Sequence, residues 1–317
     1  MEVKIQDEIA HLVKEIRAAM KRDSVNIHDL ITPSVSNNVC ILAFGQRYDY
    51  DDPSRRLLDE ALNTIPRLLE FSGIVAIAPK LTKVLSTFRI GRFGKLRYYF
   101  DRVEEFCQNV VKDHRKSLDA DNPRDYIDSY LIEHDQRKKN GNIASFDENR
   151  VVSTVRGFFG AGSETVRTTT DWAMLLMAKH QDVQQKIQQE LDTVVGLDRQ
   201  VAWSDRTNMP YSTAVVLELQ RWASVVPSNL PRKANADCVV AGHTIPKGTT
   251  VFINLWSVHH DPTAYPEPEN FDPNRFLDSS KSSVVKREDL IPFSAGESIL
   301  ELFRTKEVDF DDDQRKT

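Results

Sequence analysis

The chain has 317 residues, 40% of them hydrophobic, enough to bury one large core or two ordinary ones. Its formal charge of −5 excludes a general nucleic-acid binder, because phosphate recognition needs a basic face. Three cysteines, Cys40, Cys107 and Cys238, are odd in number and far apart, which predicts buried or half-buried free thiols in a reducing compartment.

Residues 1–22 interleave charges with apolar positions, a pattern of neither a secretory signal nor a transmembrane span. Ile5, Ile9, Leu12 and Ile16 recur at helical spacing and predict an amphipathic helix with that face turned to a core. HDLITPSVSNNVCILAF at 28–44 predicts a second helix, interrupted by Pro33. PSRRLLDEALNTIPRLLEF at 53–71 predicts a third, with Pro53 near its start. GIVAIA at 73–78 and WAMLLMA at 172–178 are too short to cross a bilayer, so no anchor is expected in the chain as written. Leu96, Phe100, Val103, Phe106 and Val110 mark a fourth helix over 93–117, and the first half is expected to be helical nearly throughout. The basic stretches at 114–116 and 137–139 read as solvated helix ends and loops.

A further helix start is legible at Ser145, with Glu148 three residues on as the capping-box acid, and the pattern runs to about Lys179. This long helix contains Gly157, Gly160 and Gly162, each costing about 0.5–1 kcal/mol relative to alanine in a helix interior. Close packing against another helix would justify that cost, and so would clearance for a bulky flat ligand. Ser163, Glu164, Thr165, Thr168, Thr169 and Thr170 follow. Their hydroxyls can bond back to the preceding turn. An acid beside an alcohol can also pass protons, and a solvated Glu164 fits the same residues.

KHQDVQQKIQQELDTVVG at 179–196 predicts a surface helix with Val183, Ile187, Leu191 and Val194 inward and Gly196 at its C-terminal cap. After a polar loop, YSTAVVLELQRW at 211–222 predicts a short apolar helix carrying Glu218 and Arg221, the spacing of any helical ion pair. DCVVAGHTIPKGTTVFINL at 237–255 alternates β-branched residues with turn signals at Gly242 and 246–248, predicting an antiparallel hairpin. The adjacent His259 and His260 are expected to point in different directions and not to share a metal. YPEPENFDPNRF at 265–276 reads as irregular chain ordered by its aromatics and Arg275, and the acidic tail as disordered.

Taken in order, these segments resemble the cytochrome P-450 superfamily in its microsomal, family-2-like form, from near residue 1 to about 296. AGSET at 161–165 is similar to the family's oxygen-binding groove, and Glu218-Leu219-Gln220-Arg221 to its Glu-x-x-Arg helix. TIPKGTTVFINLWSVHHDP is similar to the segment that follows, FDPNRF supplies Arg275 to the family's Glu-Arg-Arg cluster, and IPFSAG at 291–296 opens like the heme loop. The resemblance implies a mainly α, partial cytochrome P-450 fold with a long central helix and a small antiparallel β-hairpin, as one partial domain over 1–296 with a divergent tail over 297–317. It implies a heme cofactor, a small lipophilic substrate, an NADPH-dependent reductase as partner, and the cytosolic face of the endoplasmic reticulum membrane. By position, Glu164 and Thr165 would line the oxygen site and relay protons, with Ala161 and Gly162 leaving space above the heme. Arg232 would contact a propionate, Phe293 and Gly296 would begin the loop under the heme, and Glu218, Arg221 and Arg275 would form a buried charge cluster.

The chain departs from the family's Phe-x-x-Gly-x-Arg-x-Cys loop: Ser298 stands at the arginine place and Leu300 at the place of the iron-ligating cysteine. Neither supplies the electron-rich sulfur that supports O–O cleavage. The chain is also expected to begin partway through the fold, with no counterpart of the family's N-terminal sheet, membrane anchor or propionate-binding Trp–Arg helix. The helix after the cysteine is likewise expected to be missing. Three functions stay open: a heme monooxygenase; a truncated, alternatively spliced or incomplete gene product that is inactive and holds no heme; and a noncatalytic helical interaction protein, aggregating or binding a partner through exposed apolar faces.

Overall fold

The computed structural model describes residues 1–21, 25–69, 79–141 and 146–294, and these are mainly helical. The chain divides into two compact units, Met1–Asp171 and Trp172–Thr317. The first holds α1 (Glu2–Ala19), α2 (Ile27–Phe44), α3 (Pro53–Leu69), α4 (Pro79–Thr87), α5 (Gly91–Lys116), α6 (Tyr126–Lys139) and α7 (Glu148–Lys179) as far as Asp171. Among the described residues no helix is long and apolar enough to cross a membrane.

One apolar cluster organises the first unit. Phe44 of α2, Leu58 and Leu62 of α3, Val103, Cys107 and Val111 of α5, Ile127 and Leu131 of α6, and Val151, Val155 and Phe159 of α7 are all buried in it. Helix α1 packs on α2, but its inward face is not the predicted one. Ile5, Leu12 and Ile16 are half-buried, whereas Ile9 is exposed and Glu8 is fully buried. Glu8 takes that place because Arg47 Nε (2.9 Å), Tyr50 Oη (2.6 Å) and Asn37 Nδ2 (3.3 Å) all donate to its carboxylate.

Pro33 does not interrupt α2, which runs through it. The Pro33 carbonyl also accepts from Nη1 of the buried Arg55 at 3.1 Å, which ties α3 to this part of α2. On α5, the buried stripe is Val103, Cys107, Val111 and His114, while Phe100 is exposed. Residues 114–116 do end a helix, but only Lys116 is exposed. His114 Nε2 lies 2.8 Å from Asp125, and Arg115 pairs with Asp135 (2.7 Å) and Glu148 (3.0 Å).

The predicted capping residue Ser145 lies outside the described residues. Glu148 is taken up by Arg115, and the side chain that caps α7 is Asp147, accepting from the Asn149 amide at 3.1 Å. Helix α6 went unrecognised as a separate element; its start is marked by Asp125, which accepts from the Asp128 amide.

The second unit contains the last turns of α7, α8 (Gln181–Val194), a 3₁₀ turn (Trp203–Asn208), α9 (Pro210–Ala223), short strands β1 to β4, α10 (Leu255–His259) and a second 3₁₀ turn (Pro273–Phe276). Leu176, Val183, Val215, Leu219 and Phe271 form one cluster, and Ala214, Tyr265, Phe276 and Leu277 another. Gly196 closes α8 at φ +74°, donating to the Leu191 carbonyl.

The hairpin forms with β2 (Cys238–Val240) antiparallel to β3 (His243–Ile245), turning at Ala241 and Gly242 with φ of +49° and +82°. A second two-stranded sheet, β1 (Arg232–Lys233) with β4 (Thr250–Val251), was not predicted. Cys40 and Cys107 are buried free thiols as expected, but Cys238 is exposed on β2. Residues 265–276 are ordered by their aromatics: Tyr265, Phe271 and Phe276 are all buried.

Candidate functional site

In the first unit, one stretch of α7 carries Ala161, Gly162, Glu164 and Thr165. Thr165 Oγ1 donates to the Ala161 carbonyl at 2.8 Å, and Thr169 and Thr170 repeat the bond to Thr165 and Val166, also at 2.8 Å. These three hydroxyls therefore serve the preceding turn, whereas Thr168 Oγ1 donates to Glu164 Oε1 at 3.4 Å. A Cβ on Gly162 would stand 3.3 Å from Val39 Cγ2 of α2, so this glycine permits a close helix approach. Gly157 and Gly160 face open space, so close packing accounts for Gly162 alone.

Glu164 is not simply solvated. Arg167 Nη2 donates to its Oε1 at 2.5 Å and Nε to its Oε2 at 3.2 Å. Arg167 Nη1 also lies 3.3 Å from Asp171 Oδ2 and 3.1 Å from His28 Nδ1, and His28 is 2.9 Å from Asp171. One guanidinium is thus shared between two carboxylates, a network the sequence reading missed. Its only sequence signal was the spacing of 164, 167 and 171 on one helix face.

In the second unit, the structure brings Glu218, Arg221 and Arg275 together. Glu218 and Arg221 are 0% exposed, so their i, i+3 pair is no surface bridge. Arg221 grips Glu218 with Nε at 2.7 Å and Nη2 at 2.8 Å. Its Nη1 donates to the His259 carbonyl at 2.8 Å and its Nη2 to the Pro268 carbonyl at 2.9 Å. The Asp272 amide donates to Glu218 at 2.9 Å. Arg275 Nε approaches Glu218 to 3.6 Å, and its Nη2 donates to the Glu267 carbonyl at 2.9 Å. The result is a buried hub that ties α9 to residues 259–275.

His259 and His260 diverge. His260 stacks on Trp256 with centroids 4.4 Å apart. His259 is fully buried, with Nδ1 2.8 Å from Ser224 Oγ and Nε2 accepting from the Ile291 amide at 3.0 Å. Burial, then the Arg221 cation, push its pKa down to about 4.

Arg232 is exposed on β1, opposite Val251, and Phe293 is 64% exposed. Gly296, Ser298 and Leu300 lie outside the described residues. Among the described residues one group has ligand atoms close enough for a metal: His114, Asp125 and Asp128, within 4.8 Å of one another. Its atoms are already engaged, Asp128 by Arg124 at 2.6 Å and Asp125 by His114 at 2.8 Å, and the Arg124 cation opposes a metal there.

Comparison with known proteins decides the family, for the cytochrome P-450 family model matches residues 1–299. The chain belongs to the cytochrome P-450 family. It is 35% identical to cytochrome P-450 2U1 of Homo sapiens over 299 residues, 93% of this chain and 54% of that protein. It is 36% identical to cytochrome P-450 2J3 of Rattus norvegicus over 302 residues, 93% of this chain and 58% of that one. Cytochrome P-450 2C11 of Rattus norvegicus is also 36% identical, over 94% of this chain and 59% of that protein. The chain thus spans little more than half the length of these relatives. Recognition from motif order and the mainly helical fold with a small hairpin are both confirmed.

Membership of the cytochrome P-450 family implies a heme, held in that family by a cysteine thiolate. No thiol of this chain fits that role. Cys40 and Cys107 sit in the apolar core of the first unit, where burial raises both thiol pKa values, that of Cys107 to about 12. Cys238 lies on the outer surface of the hairpin strand β2, paired with Ile245. The position expected for the ligand holds Leu300.

Proposed function

We propose that this chain carries the scaffold of an oxygenating heme enzyme but does not itself perform the oxidation. The family reading supplies the activity: small lipophilic compounds oxidised with O₂ and electrons from an NADPH-dependent reductase at the cytosolic face of the endoplasmic reticulum membrane. In that reading Ala161, Gly162, Glu164 and Thr165 descend from the oxygen side of the site. Arg232, Phe293 and Gly296 descend from the heme side, and Glu218, Arg221 and Arg275 hold the fold.

The observation that carries the inactive reading is the placing of the thiols: two in an apolar core with raised pKa values, one on an exposed hairpin, and leucine at residue 300. Without a sulfur ligand the protein loses its main lever on heme chemistry. Titrating heme into the purified chain tests it. Weak, substoichiometric uptake is expected, and saturation at one tightly bound heme per chain would contradict it.

A second reading, a noncatalytic interaction protein, is supported by an apolar stripe at α4, where Leu81, Val84 and Phe88 are 55%, 50% and 72% exposed. Solution mass across concentration tests this one. Association supports it, and a monomer at every concentration counts against it.

A further inference from the structure

We infer that neutral His259 is a proton-sensitive anchor, holding the Ile291 amide to the buried Glu218–Arg221 hub and releasing it when its ring takes a proton. The inference stands on the direction of each hydrogen bond and needs no heme. A backbone amide can only donate, so the Ile291 N–H at 3.0 Å requires a lone pair on His259 Nε2. The proton of the neutral ring then sits on Nδ1 and donates to Ser224 Oγ at 2.8 Å. Ser224 Oγ in turn donates to the Arg221 carbonyl at 2.8 Å. Ser224 is placed for this by its left-handed backbone, φ +38°, at the C-terminal cap of α9. Every donor in the relay has one acceptor, and the relay ends on the residue that grips Glu218.

A second proton on the ring would set an N–H at Nε2 against the Ile291 N–H. The surroundings oppose that proton. The ring is fully buried, and Arg221 donates to the carbonyl of His259 itself. His260 is the next residue in the chain and adds to the opposition. Asp289, two residues before Ile291, favours the imidazolium, but it is paired with Arg287 at 2.7 Å. Burial and Arg221 prevail, which places the titration near pH 4. The chain just before Ile291 is held separately, by Arg287 Nη2 on the Ala264 carbonyl at 2.7 Å and by Leu290 against the Ala214–Tyr265–Phe276 cluster. Protonation would therefore release the Ile291 amide without unfolding the unit.

The test is nitrogen-resolved NMR of the imidazole rings in the full chain, with amide exchange of Ile291 followed from pH 7 down through about 4 and corrected for intrinsic rates. At pH 7 the ring of His259 is expected to be neutral with its proton on Nδ1. Protection of the Ile291 amide is expected to fall about tenfold or more as the ring titrates, while Val215 and Leu219 in α9 stay protected. His259→Phe keeps the bulk and removes the acceptor, so its Ile291 amide should be poorly protected and insensitive to pH over this range. A proton on Nε2 at pH 7, or unchanged Ile291 protection as the ring titrates, would overturn the inference. Loss of protection in step with Val215 and Leu219 would overturn it too. The wild-type titration decides even if the variant fails to fold.

Discussion

At Glu218 a single carboxylate accepts from two Arg221 nitrogens and from the Asp272 amide, with nothing exposed to water. Glu218→Ala would strand the Arg221 cation, and we expect it to destabilise the second unit by about 3–5 kcal/mol, read from denaturant unfolding. Arg275→Ala removes only the longer 3.6 Å contact and should cost clearly less; equal losses would show that the two arginines share the charge evenly. His114 gives a residue-level pH effect in the first unit. Burial opposes its charge, but Asp125 at 2.8 Å and the Val110 carbonyl outweigh it and raise its pKa above 6.5. Because the folded value lies above the unfolded one, its contribution is complete below about pH 6.5 and is lost as pH rises through the folded value. The melting temperature should fall over that rise, and His114→Gln should flatten the slope; an unchanged slope would assign the effect elsewhere. The sequence showed Glu218, Arg221 and Arg275 by motif order, yet spacing alone gave an ordinary helix pair. Their burial comes from carbonyls at 259, 267 and 268, which no local pattern reveals. The Arg167 network was illegible for a similar reason, since its contact with His28 spans 139 residues.

Among the elements, α7 offers the sharpest contrast. Gly157 and Gly160 would present a Cβ to open space, so alanine at each should stabilise the helix by about 0.5–1 kcal/mol. A leucine at Gly162 would drive into Val39 of α2, 3.3 Å from the first added carbon, and should destabilise. Chemical denaturation of the three variants checks the ordering, and stabilisation by Gly162→Leu would show that α2 can yield. Helix-start signals located α3 and α7, and helical periodicity located α1 and α5. It failed inside α1, where the favourable position facing α2 belongs to Glu8 rather than Ile9, a choice set by Arg47 and Tyr50. It also misjudged Pro33, which stands inside a continuous α2. The β2–β3 hairpin was legible through Gly242, whereas β1 and β4, two residues each, are too short to leave a periodic trace.

Over the whole molecule, the family was readable because independent motifs occur in the family's order along the chain, from AGSET at 161 to IPFSAG at 291. The division at Asp171, within the long helix, had no composition shift to announce it. Whether this scaffold still does the family's chemistry turns on one ligand. Buried thiols at Cys40 and Cys107 and an exposed one at Cys238 leave the chain without a thiolate placed for iron. The decisive measurement is absorbance of the heme-reconstituted, reduced chain with and without carbon monoxide. No thiolate-type shift of the Soret band is the result expected of a scaffold without its chemistry, and a full thiolate-type shift would show that a cysteine reaches the iron and contradict the account.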